Sequence, residues 1–181
     1  LAAKYFIPNE YDKLMSSIGA EGTNAYTSND VTCYVEDIPA NELENWAKIE
    51  SDRFQNMVIR GFHTELEAVY EEYNISLGND NRKLFAALNA MLFPGHPYGT
   101  QTTIGTQEHL KNPSIVNIKN YFSRYYVPNN TAICMAGDFD PDKAIAVIDK
   151  YFGTWKPNPN LSQPEYAPIP ERTAPADTTV V

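Results

Sequence analysis

A chain of 181 residues is long enough for one sizeable α+β domain or two small ones. Its 43% hydrophobic and 12% aromatic content marks it as globular rather than disordered. A net charge of −9 argues against a nucleic-acid or anionic-membrane surface, and no apolar run is long enough to cross a bilayer.

The chain opens on LAAKYF without a starting Met and reads as a piece of something longer. EYDKLMSSIG then reads as a helix with Tyr11, Leu14 and Ile18 inward, stopped by Gly19. GTNAYTSNDVTCYVED reads as two strands joined at Ser28–Asp30. Cys33 and Cys134 sit in separate β-like runs without CxxC metal spacing, and read as two free, buried thiols. After Pro39, NELENWAKIESDRFQNM has helical periodicity with Leu43, Trp46, Ala47, Phe54 and Met57 inward. Gly61 breaks the chain before the next helix, which carries ELEAVYEEYN. GNDN at 78–81 is a turn, and NRKLFAALNAML makes another helix. Residues 93–106 form a long Pro/Gly loop. Asn112 as cap and Pro113 as first residue start a helix with Ile115, Ile118, Phe122 and Tyr125 on one side.

NTAICMAG reads as a buried strand, and Asp140 with Pro141 opens a last helix that Gly153 closes. Six of the thirteen prolines fall within 156–181. Residues 1–155 therefore read as one domain, and 156–181 as a Pro-rich linker toward another. There is no internal repeat. The expected fold class is α+β: a mixed, mostly antiparallel sheet with helices packed on one face, truncated at its amino-terminal end.

Within ELEAVYEEYN, a 3.6-residue turn sets Leu66, Val69, Tyr70, Tyr73 and Leu77 on one arc, with Ala68 and Ile75 on another. Glu67, Glu71 and Asn74 take the solvated face. Glu65 and Glu72 fall between the two apolar groups, within about 20° of each other and about 10.5 Å apart along the axis. Ionised carboxylates in such an arc cost several kcal/mol unless paired, so a Lys or Arg from a packing neighbour and a metal ion are the competing partners. The separation lets one of them bind an ion and the other support it.

With these paired glutamates, the chain resembles the insulinase/pitrilysin family of zinc metallopeptidases, the inverzincins, which include the mitochondrial processing peptidases. SSIGAEGTNAYTSNDVTCY, HPYGTQTTIGT and YYVPNNTAICMAGDFDPDKA follow the family's order of segments. The resemblance implies a zinc-dependent endopeptidase acting on peptides or unfolded polypeptides. It implies Glu72 as a zinc ligand and Glu65 as a supporting carboxylate at the catalytic site. It also implies an edge strand at Gly22–Thr27 to which a substrate peptide adds, with Asn24, Ala25 and Tyr26 as substrate contacts. An ordinary hairpin is the plain alternative for that strand. A second, homologous half or subunit would close the chamber.

The family's HxxEH motif is absent from these residues, and its usual spacing would place it at or before Leu1. His63 stands at the start of the glutamate helix, His96 in a turn and His109 on a surface helix, and none replaces it. One carboxylate cannot hold a catalytic zinc, which needs three protein ligands and an open position. Zinc is therefore expected in the parent protein and not in this chain alone. A non-catalytic scaffold subunit of the same family and a generic interaction module with salt-bridged glutamates are the other readings. The acidic, Tyr- and Asn-rich composition suits a bacterial envelope protein.

Overall fold

The computed structural model describes residues 7–180, which divide into two compact units. The first contains residues up to Tyr26, Thr32–Gly61 and Ser114–Leu161. Its elements are helix α1 (Glu10–Ser17), strands β1 (Glu21–Thr27) and β2 (Thr32–Asp37), and helices α2 (Leu43–Gln55), α7 (Ile115–Tyr125) and α8 (Pro141–Phe152). Between α2 and α7 the chain runs through the second unit, which holds α3 (Phe62–Leu77), α4 (Asp80–Leu92), α5 (Pro97–Thr100) and α6 (Gln107–Lys111).

In the first unit, Met15, Ala47, Val127 and Ala144 are buried. Helix α8 starts where the sequence places it, because the Asp140 carboxylate accepts from the N–H groups of Asp142 and Lys143 while Pro141 occupies the first turn. It packs along α2, where Trp46 and Phe152 bring their rings to 6.3 Å. Strand β2 alternates as a half-buried strand should, with Tyr34 and Glu36 turned toward α2 and Val35 exposed. The Tyr34 ring meets Phe54 edge-on at 5.4 Å.

A polar cluster ties the hairpin to α1 and α2. The Tyr11 hydroxyl of α1 lies 2.9 Å from Glu36 Oε1 and 2.8 Å from Glu50 Oε1. Arg53 donates from Nε and Nη2 to Glu50 Oε2, and its Nη2 is 3.7 Å from Glu36 Oε1. The guanidinium also stacks over the rings of Tyr11 and Tyr34. Glu50 is 3% exposed, one of the two buried polar residues here with Ser51.

The second unit is built on α3 and its neighbours. Gly61, at φ 63°, supplies the left-handed turn that sends the chain into α3. Asn79 caps α4 by accepting from the Arg82 N–H. A Cβ at Gly99 would sit 2.3 Å from the Phe93 carbonyl oxygen, so only glycine lets α5 fold back on the end of α4. The tip of the hairpin belongs to this unit, and there the Tyr98 hydroxyl donates to Asp30. Residues 162–180 carry no helix or strand, and Tyr166 sets its ring 4.8 Å from that of His96.

The fold is α+β, and among the described residues its sheet is the single antiparallel hairpin β1–β2. Among the described residues the mixed, mostly antiparallel sheet expected from sequence is reduced to this antiparallel hairpin. Of NTAICMAG, Asn130 ends a short 3-10 turn and residues 131–137 lie outside any helix or strand, with Ile133 and Cys134 exposed. An apolar, β-branched run becomes a strand only when its backbone groups find a ladder, and this run pairs with neither strand of the described sheet. Both cysteines are free as expected, but Cys33 is half-buried and Cys134 exposed rather than buried. Helix α7 begins two residues later than expected, because Ser114 rather than Asn112 caps it, accepting from the Asn117 N–H. Residues 97–100, expected as loop, form the short helix α5.

Candidate functional site

Helix α3 carries both candidate acids. Phe62 to Leu77 is helical throughout, and Glu65 sits in its first turn, where a negative charge complements the helix dipole. Leu66, Val69, Tyr70 and Tyr73 are half-buried, as their arc requires. Leu77 and Ile75 are exposed, as are Glu65 and Glu72 themselves. The apolar groups flanking the two glutamates thus do not enclose them. Helical geometry keeps the pair on one side of α3, about 10.5 Å apart along the axis. Among the described residues neither forms an ion pair, so the salt-bridged arrangement expected of a packing-only role is not made. The helix is steadied from its other side, where Gln107 of α6 donates to the Tyr70 hydroxyl at 2.8 Å.

The histidines do not gather around these acids. His63, exposed, places its ring against Phe62 at 5.7 Å. His96 Nδ1 accepts from the Tyr98 N–H and caps α5. His109 Nδ1 accepts from the Thr106 N–H while Thr106 accepts from the His109 N–H, closing a capping box on α6. Two of the three are thus engaged in backbone capping. Among the described residues no three His, Cys, Asp or Glu side chains are close enough to hold a metal ion.

Asn24, Ala25 and Tyr26 lie on β1, in the first unit, and all are exposed. Among the described residues no third strand lies beside the hairpin, so one edge of β1 is not covered by another strand. The Asn24 side-chain oxygen accepts from the Ala25 N–H at 2.8 Å. Tyr26 bonds through its hydroxyl to the Cys33 thiol across the hairpin, which holds the phenol above its ordinary pKa. The candidate metal residues and the candidate peptide residues therefore belong to different units.

Sequence reasoning passed over the Tyr11–Glu36–Glu50–Arg53 cluster. Its one legible trace is that Glu50 and Arg53 fall at helical spacing from Trp46, Ala47 and Phe54, so charged residues share the apolar face of α2.

Among known proteins, the family described as the Peptidase M16 inactive domain matches residues 115–180. The chain is 26% identical over 142 residues to an uncharacterized zinc protease of Mycobacterium leprae, covering 77% of this chain and 32% of that protein. It is 25% identical over 166 residues to the zinc protease PqqE of Helicobacter pylori, covering 86% of this chain and 37% of that one. Its fold superposes on the crystal structure of a protease from Helicobacter pylori with a TM-score of 0.80 and 25% identity, covering 89% of this chain and 40% of that chain. These likenesses are all to proteases or protease-family domains, and they agree with the resemblance to the insulinase, or peptidase M16, family read from sequence. It spans about a third of the length of the curated relatives it matches.

Proposed function

We propose that this chain is the glutamate-bearing part of a zinc-dependent endopeptidase that hydrolyses peptides or unfolded polypeptides. The observation that carries this reading is the pair Glu65 and Glu72 on one exposed side of α3, free of ion pairs among the described residues, in a chain whose relatives are named zinc proteases. Glu72 is the proposed zinc ligand. Glu65, two turns nearer the start of α3, is a positioning residue that orients the site. The edge of β1 away from β2 would take an extended peptide by backbone hydrogen bonds, with Asn24, Ala25 and Tyr26 beside it. The described residues do not make up a zinc site by themselves, since three protein ligands are needed and Glu72 supplies one. On this reading the chain alone is inactive, and a further homologous half or subunit closes the site around the substrate.

A second reading, a non-catalytic half that scaffolds or presents substrate, draws on the description of the family matched at 115–180. Helix α3 lies outside that match, and its free glutamates favour the first reading. The deciding measurement is zinc per chain in the full-length protein that carries this sequence, beside its Glu72→Gln variant. One zinc in the parent and a large loss in the variant supports the ligand role. No zinc in either overturns the protease reading and leaves the scaffold.

A further inference from the structure

The cluster that fastens the hairpin to α1 and α2 poses a hydrogen-counting problem. Tyr11 has one hydroxyl hydrogen, yet its oxygen is within hydrogen-bond distance of a carboxylate oxygen on either side, Glu36 Oε1 at 2.9 Å and Glu50 Oε1 at 2.8 Å. If both acids were ionised, one of these contacts would set two acceptors against each other. Charge leads to the same difficulty. The Glu36 and Glu50 side chains are 8% and 4% exposed, and among the described residues a single cation, the guanidinium of Arg53, faces both. Two buried carboxylates against one cation leave a net negative charge that costs several kcal/mol in the interior.

We propose that Glu50 carries a proton on Oε1 in the folded chain at neutral pH, forming a chain of donors from Glu50 to Tyr11 to Glu36, and that this proton holds the β1–β2 hairpin on α2. Glu50 Oε1–H donates to Tyr11, Tyr11 donates to Glu36 Oε1, and each hydrogen then has one acceptor. The remaining lone pairs are met as well. Arg53 Nε and Nη2 donate to Glu50 Oε2, and the Trp46 indole donates to Glu36 Oε2 at 3.4 Å. Neutral Glu50 leaves Arg53 balanced by the single charge of Glu36. The groups facing Glu50 are Arg53 from its own helix, Tyr11 from α1, and Glu36 and the Tyr34 phenol from β2. On the α8 side, Lys150 is taken up by Glu44 at the surface of α2.

Burial pushes the Glu50 carboxyl up, against the downward pull of Arg53 and Tyr11, and Glu36 adds to the rise. A carboxyl whose folded pKa is raised binds its proton more tightly in the folded state. Its stabilising effect is complete below the ordinary glutamate pKa and is lost as pH rises to the folded value, with the proton released to solvent. Beyond that point Glu36 and Glu50 repel across Tyr11, and β2 loses its hold on α2. The device thus couples a rise in pH above the ordinary carboxyl range to loosening of the hairpin that β1 and β2 form.

Two measurements on the full chain test this. Carboxyl 13C resonances of glutamate-labelled protein, followed through a pH titration, should show one acid still protonated at neutral pH, and Glu50→Gln should remove that signal. Hydrogen exchange at the β2 amides, corrected for intrinsic rates, should lose protection by about tenfold per pH unit between the ordinary carboxyl range and the titration of Glu50. In Glu50→Gln, whose neutral amide can donate to Tyr11, that slope should vanish with protection retained at neutral pH. A spectrum in which every glutamate is ionised at neutral pH overturns the proposal, whatever the variants do. So does a pH slope that persists in Glu50→Gln.

Discussion

Helix α2 encloses its acid, Glu50, at 3% exposure under an arginine and a tyrosine, whereas α3 leaves Glu65 and Glu72 in solvent with no ion pair among the described residues. The two helices have similar length and both carry glutamates near apolar positions, so local sequence does not separate them. Their surroundings do. A carboxylate in the interior is tolerated only with partners, and the partners of Glu50 come from three elements. An exposed carboxylate needs none, and keeps its lone pairs for a ligand. In this chain the partnered acid is read as structural and the unpartnered pair as functional.

The contrast breaks most readily at Glu36. Replacing it with Ala leaves Arg53 and Tyr11 facing a cavity and removes the acceptor that Tyr11 and Trp46 share. Breaking one side of a buried charged network costs about 3–5 kcal/mol. Chemical denaturation of Glu36→Ala should show a loss of that size, and a change within error would mean that the cluster does not fasten the hairpin. On α3 the expected pattern is inverted. Glu72→Gln should leave the unfolding midpoint of the zinc-free full-length protein unchanged. Its zinc affinity should fall by more than the ~10–100-fold typical of losing a supporting residue, and peptide hydrolysis should fall with it. Equilibrium dialysis with a zinc-sensitive dye measures the first, and a quenched fluorescent peptide the second. Unchanged zinc binding would remove Glu72 from the ligand set.

Glu65→Gln ranks next. As a positioning residue it should cost about 10–100-fold in zinc affinity or turnover, again without a stability change in the zinc-free protein. A zinc affinity and turnover equal to the parent's would return Glu65 to the ordinary solvated surface. The two variants together separate ligand from support, because only Glu72→Gln should take the metal away at micromolar zinc.

Features written in consecutive residues are legible in the amino-acid sequence itself. Gly61 ending one segment and α3 starting at the next residue, the hairpin turn between β1 and β2, and the Asp140–Pro141 start of α8 all depend on contacts a few residues apart. The expectations that failed depend on distant partners. NTAICMAG has strand composition, but composition cannot supply a neighbouring ladder. Glu36, Glu50 and Arg53 look like surface charges in one dimension. They become an interior network only because Tyr11 arrives from 39 residues before Glu50 and β2 from 14 residues before it. The same limit applies to the candidate site. Spacing alone puts Glu65 and Glu72 on one side of α3, whereas their exposure and freedom from ion pairs are properties of the folded chain.

A third kind of carboxylate calibrates the other two. Asp140 is half-exposed, and its Oδ1 accepts from the N–H groups of Asp142 and Lys143 at 3.0 and 3.3 Å, so its partners are its own neighbours in sequence. Asp140→Ala removes a cap while leaving Pro141 to start α8, and caps of this type are worth about 1 kcal/mol. Because α8 packs along α2, a loss near that value, with the Glu50 carboxyl signal unmoved, would show that fraying the start of α8 does not disturb the buried cluster. A larger loss, accompanied by a shift of that signal, would mean that the hold on the hairpin extends through α2 into α8, and that buried and capping acids act as one network.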